Sequence, residues 1–278
     1  MTNIFVSWLN GISALLLVSA AWYFVIVCLY YFRTLENNKT YLGGMLLFTA
    51  IGLGWMGITL SFLSTEFAGS TLPWVIFLMP FFAYSTIPLG CFAIIYIVWE
   101  LVGTKKSKKI IYGLYVILFI AYYILLYFNI ESNVAIEIDA NTGLGDDWIR
   151  FGVPFFYFIW ILVIITAIIT FIGFTKMRSH TTGELKTRSS LLLLATPLVA
   201  LGILADTVVL GSLTIIPIFE FPNHLDFLYM IRLIMILGMF LILIAFRPSS
   251  SKPILAVIPI LVIILVVFFI FWGPVMIL

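Results

Sequence analysis

Long apolar runs separated by short polar loops organise this chain. Eight segments, near 9–32, 41–63, 73–102, 109–129, 151–175, 189–212, 226–246 and 253–272, each hold about 20 or more mostly apolar residues. A helix rises 1.5 Å per residue, so about 20 residues cross the hydrocarbon core of a bilayer. The pattern predicts an all-α, polytopic transmembrane helical bundle. Residues 1–247 form seven helices, and residues 248–278 form a short linker and a C-terminal apolar helix. Pro259 and Pro274 interrupt that last run, which either spans or lies along the bundle. The loops are too short for a separate soluble domain.

Charge sign alternates from loop to loop. Arg33 and Lys39, then Lys105, Lys106, Lys108 and Lys109, then Lys176, Arg178, Lys186 and Arg188, then Arg247 and Lys252 mark every second loop. Glu66, then Glu131, Glu137, Asp139, Asp146 and Asp147, then Glu220 and Asp226 mark the others. Of the 14 Lys and Arg, only Arg150 and Arg232 fall outside the basic loops. Basic loops remain cytoplasmic during membrane insertion. The expected setting is the cell membrane, with the N-terminus outside and the basic loops inside. Trp74, Trp148 and Trp272 then sit at outer boundaries and Trp99 and Tyr112 at inner ones, where aromatic side chains anchor.

Composition agrees with a bilayer as solvent. Hydrophobic residues make up 64% of the chain, charged residues 9%, and mean hydropathy is +1.23, against roughly 45–50% apolar and about 25% charged in soluble domains. With a net charge of +2, nucleic acid is not an expected partner, whereas anionic lipid headgroups are natural neighbours of the basic loops. Cys28 and Cys91 lie inside apolar segments and read as small buried hydrophobes. No cleavable signal peptide is expected, because the first segment lacks a basic leader and ends in Tyr30-Tyr31-Phe32-Arg33.

Several membrane chemistries lack their residues. His180 and His224 fall in loops on opposite faces, which leaves the helices no axial haem ligands and no His-based metal cluster. The 227–246 helix has no lysine for a retinal Schiff base. One deep acid cannot form the facing pair of an intramembrane aspartyl protease, and no Gly-rich phosphate loop appears. Neither catalysis nor a cofactor is expected.

The deep acid is Asp206, about two turns from the outer end of its helix, and Arg232 lies at similar depth in the next. Intramembrane charges pair or face a cavity, because an isolated one costs at least about 2.5–3.5 kcal/mol. An Asp206–Arg232 ion pair is expected, either as a clasp between two helices or as part of a pocket. Tyr84-Ser85-Thr86 precedes Pro88, and Thr196 precedes Pro197. Each proline frees a carbonyl that nearby hydroxyls can satisfy. Glu100 is expected to snorkel beside Lys105–Lys109. Asp139-Ala-Asn141-Thr-Gly143-Leu-Gly145-Asp146-Asp147 superficially resembles a calcium loop, but Leu144 and Arg150 occupy positions that need glycine and a bidentate acid. A solvated acidic loop is the expectation. Asn38-Lys39-Thr40 fits a glycosylation acceptor on the predicted inner face.

Leu185-Lys-Thr-Arg188-Ser-Ser-Leu191-Leu-Leu-Leu-Ala-Thr-Pro197, followed by Asp206, Pro217, Phe221-Pro222 and the helix ending Ala245-Phe246-Arg247, resembles the last two helices of the seven-helix membrane sensor regions of prokaryotic histidine kinases. The resemblance implies a signal-sensing bundle across residues 1–247. After Arg247 this sequence departs from that family, with Ser249-Ser250-Ser251 and another apolar segment where a kinase core would follow. Signalling would then pass through a separate partner. The leading expectation is a receptor-like or sensor-like protein that binds a small or lipophilic ligand in its outer half, near Asp206, Arg232, Tyr84 and Tyr229. Lys176, Arg178, Lys186 and Arg188 would dock a cytoplasmic or membrane protein partner. The alternatives are a transporter or channel (or a subunit of one) and a structural subunit of a membrane complex.

Overall fold

A computed structural model describes residues 4–35, 38–138, 142–212 and 225–247. The expected helix at 253–272, with Lys252, Pro259, Trp272 and Pro274, lies outside the described residues. So do Asp139, Asn141, Pro217, Glu220, Phe221, Pro222, His224 and Ser249–Ser251. In chain order the elements are α1 (Ile4–Thr34), α2 (Lys39–Gly54), α3 (Met56–Ala68), α4 (Pro73–Ser85), α5 (Ile87–Val102), α6 (Lys105–Phe128), α7 (Ile130–Asn133), β1 (Val134–Ile138), β2 (Gly145–Ile149), α8 (Pro154–Ser179), α9 (Gly183–Ser212) and α10 (Leu225–Phe246). Five described helical segments are long and apolar enough to cross a membrane, or six when the bent pair α2–α3 counts as one span. Ile231–Phe246 adds a shorter apolar helix. The chain is a multi-pass, membrane-embedded helical bundle.

Two helices expected to be continuous are broken. The 41–63 segment bends by 41° between α2 and α3, after the glycine-spaced stretch Ile51-Gly52-Leu53-Gly54. Glycine costs a helix interior about 1 kcal/mol relative to alanine, which makes this the weak point of the segment. The 73–102 segment breaks at Thr86, because Pro88 has no N–H for the Tyr84 carbonyl. Hydroxyls repair the break, and two of them come from another helix. Tyr122 on α6 donates to the Tyr84 carbonyl at 2.6 Å and Tyr123 to the Ser85 carbonyl at 2.8 Å. Thr86 donates back to Phe82 at 3.1 Å.

The helices close a ring: α1 packs on α2, α2 on α5, α5 on α8, α8 on α9, α9 on α10, and α10 on α1. Small residues set the approach, as they do between membrane helices. A Cβ on Gly173 of α8 would come within 2.1 Å of Val98 on α5. α6 lies outside the ring against α5 and α8, and presents Ile110, Ile117, Ile120 and Ile124 outward as a lipid-facing surface. At the end carrying the basic loops, Asn38 caps α2 by accepting from the Thr40 N–H at 3.0 Å. Glu100 pairs there with Lys108 at 2.9 Å, in keeping with its expected place beside the lysines.

At the opposite end the expected solvated acidic loop is a folded two-stranded hairpin added to the α-helical bundle. Val134, Ile136 and Ile138 alternate at the strand period, and β1 pairs antiparallel with β2 in the register Val134↔Ile149, Ile136↔Asp147 and Ile138↔Gly145. Asp146 and Asp147 are buried. The sequence suggested solvent-facing oxygens; docking of the hairpin on the bundle buries both carboxyls.

Candidate functional site

Asp206 on α9 and Arg232 on α10 form the expected ion pair, with Arg232 Nε 3.2 Å from Asp206 Oδ1. Arg232 is only 1% exposed. Burying both ions is tolerable only when their remaining donors and acceptors are met. Asp206 Oδ2 accepts from the Trp55 indole N–H. Arg232 Nη1 donates to the Asn10 carbonyl at 2.9 Å and to Asn10 Oδ1. Asn10 Nδ2 in turn donates to Asp146 Oδ2 at 3.3 Å. One polar chain therefore ties α1, the α2–α3 bend, α9, α10 and the hairpin together. The bend has a direct consequence here, since Trp55 occupies it.

The hairpin is stapled to α3 and the α3–α4 turn. Gly143 adopts φ 72°, a left-handed conformation that glycine takes without penalty. Its carbonyl accepts from the Thr71 N–H at 2.9 Å and from the Thr71 hydroxyl at 2.8 Å. The Gly145 N–H donates to Ser61 Oγ at 2.9 Å and to Thr71 Oγ1 at 2.7 Å. Successive strand residues point to opposite faces. Asp146 thus reaches Asn10 while Asp147 faces the Tyr84 hydroxyl. Burial pushes the Asp146 carboxyl up to about 6, although the Arg232 charge opposes the rise. Burial, reinforced by the neighbouring Asp146 charge, pushes Asp147 up to about 8. Asp147 Oδ2 is buried without a hydrogen-bond partner among the described residues.

These groups end a cavity of about 100 Å³. Trp55, Tyr84, Asp146, Asp147 and Asp206 line its polar end; Leu47, Ile51, Ile94, Val163, Val199 and Ile242 are among its apolar walls. The lining on α9 runs from Thr196 to Asp206, roughly 15 Å at 1.5 Å per residue. Its threonines do not make the wall polar, because their hydroxyls are turned back on their own helices. Thr86 donates to Phe82, Thr166 to Leu162, Thr170 to Thr166 and Thr196 to Leu192, at 2.7–3.1 Å. Toward the basic loops the described side chains are buried against one another. Tyr41 donates to the Phe246 carbonyl at 2.7 Å there, and Phe174, Ile97 and Val98 are buried.

Of the residues singled out from sequence, Asp206 and Tyr84 line the cavity. Arg232 stands behind Asp206, and Tyr229 is half-buried on α10 and is not part of the lining. Lys176 and Arg178 occupy the last turn of α8, where cations complement the helix dipole. Arg188 pairs with Glu184 at 2.6 Å, and Lys186 is exposed. The sequence reading missed four contributors: Asn10, Trp55, Asp146 and Asp147. The signal for Asn10 was a carboxamide inside an apolar run; for the aspartates it was the Val-x-Ile-x-Ile alternation just upstream. Among the described residues no three His, Cys, Asp or Glu side chains are arranged to hold a metal ion.

Compared with known proteins, the chain matches no family model, no curated protein and no solved structure.

Proposed function

We propose that the protein is a receptor-like or sensor-like membrane protein without catalytic activity. It binds a small, lipophilic ligand in the cavity beside Asp206 and signals through a separate partner. The threading that goes with this reading has seven spans, the N-terminus outside and the basic loops in the cytoplasm. Asp206 and Tyr84 contact the ligand, while Arg232 holds Asp206 in place. Tyr229 belongs to the α10 face that would move with Arg232. Lys176, Arg178, Lys186 and Arg188 form the docking surface at the cytoplasmic end.

One observation supports this reading above the others: the cavity has a polar end and apolar walls. A ligand entering it would press on α2, α5, α8, α9 and α10 together, since all five line it. A transporter or channel would need a continuous polar path, whereas the cavity lining beyond the polar end is mostly apolar.

The reading is tested by filling the cavity. Gly90 lines it and faces the Ala50 Cβ at ordinary contact distance, so Gly90→Leu occupies the space with little strain elsewhere. In lipid nanodiscs, lipophiles that raise the melting temperature of the native protein should leave Gly90→Leu unchanged. Solute flux through reconstituted vesicles, abolished by the same substitution, would replace this reading with the transporter one.

A further inference from the structure

We propose that the cavity selects an amphipathic primary amine, with its ammonium group at Asp147 and a linear hydrocarbon tail along the apolar wall. The inference rests on the cavity being a ligand pocket and names the class of ligand.

The first observation is an unpartnered oxygen. Asp147 Oδ2 lies at the cavity end, buried, with no hydrogen-bond partner among the described residues. Buried polar atoms are nearly always partnered, and an ammonium group brings three donors and no acceptor. The second is the charge balance. Three carboxyls, on Asp146, Asp147 and Asp206, stand against the Arg232 guanidinium. That guanidinium is already engaged by Asp206 and Asn10. An anionic ligand would meet carboxylates with no further cation beside them among the described residues, whereas a cation would offset part of the negative excess. Trp55 and Tyr84 border the same end, and aromatic faces attract ammonium ions.

The remaining lining sets the other half of the ligand. The threonine hydroxyls are satisfied within their own helices, so the wall offers methyl and methylene groups. The α9 residues that line the cavity, from Thr196 to Asp206, extend over roughly 15 Å, which suits a linear tail.

Without ligand, Asp147 holds a proton at neutral pH, and the ammonium group takes its place. The groups facing Asp147 are Asp146 on β2, Tyr84 on α4, Asp206 on α9 and Arg232 on α10. Binding near pH 7 therefore releases a proton from Asp147 to solvent.

The test uses the full chain in nanodiscs with octylamine, octanol and octanoate, each corrected for partition into protein-free discs. Saturable binding is followed by thermal shift and tryptophan fluorescence. Octylamine should bind most tightly and octanoate least. Calorimetry at pH 7 in buffers of different ionisation heat should show proton release with octylamine. Asp147→Asn keeps the size and neutrality of the protonated carboxyl; it should weaken octylamine about tenfold or more and leave octanol unchanged. Octanol binding as tightly as octylamine, or octylamine indifferent to Asp147→Asn, overturns amine selection while leaving the pocket itself intact. Saturable binding by none of the three overturns both.

Discussion

The Tyr122 hydroxyl donates a 2.6 Å hydrogen bond to the Tyr84 carbonyl, the group that Pro88 deprives of its helical donor. A helix outside the ring thus completes the backbone of α4, next to the cavity end. Tyr122→Phe should leave that carbonyl with only the Thr86 N–H and cost about 1 kcal/mol. Pro88→Ala restores the missing N–H, so the double variant should recover most of the loss. Reversible unfolding in mixed micelles measures the cycle, and additive losses would show that the hydroxyl is not serving the proline break.

The Asp206–Arg232 pair should behave as a unit. Arg232→Gln leaves Asp206 buried without its countercharge and should cost about 3–5 kcal/mol. Asp206→Asn with Arg232→Gln removes both charges and should cost less than Arg232→Gln alone. The same unfolding measurement, with Asp206→Asn alone completing the cycle, decides; a double-variant cost equal to the sum of the two single costs would mean that the ions do not interact.

Stability should fall as pH rises from about 4 to about 8. Asp146 and Asp147 titrate near 6 and 8 in the folded protein, against roughly 3.9 when unfolded. The folded state keeps protons that the unfolded state has already released. Stability is therefore full below about pH 4, declines through the window between the two sets of values, and reaches its floor above about pH 8. Asp147→Asn should flatten the upper part of the curve and leave the decline near pH 6. Melting temperatures in nanodiscs from pH 4.5 to 8.5 test the sign, and a rise across that range would contradict it.

The hairpin should loosen without its staples. Thr71→Val removes the hydroxyl that serves both the Gly143 carbonyl and the Gly145 N–H. Gly143→Ala places a Cβ 2.9 Å from the Gly69 carbonyl oxygen at a positive φ. Each should cost about 1–3 kcal/mol locally. Amide exchange across β1 and β2 should speed up while exchange in α1 and α9 stays slow.

Residue type and order alone determined the membrane setting and most of the helical segments, because hydropathy and length are local properties of the chain. The Asp206–Arg232 pairing was also legible, since two deep charges flanking one short connection have few other ways to be neutralised. Tertiary structure decided where the remaining polar groups go. Asp146 and Asp147 read as solvated loop acids, because nothing within their own segment shows that the hairpin docks on the bundle and buries them. Trp55 read as one more apolar helix residue until the α2–α3 bend brought its N–H to Asp206. Tyr122 and Tyr123 lie far along the chain from the carbonyls they satisfy. Partners separated by this much sequence are chosen by packing, and in a chain so uniformly apolar, helix faces leave little record of that packing in the sequence.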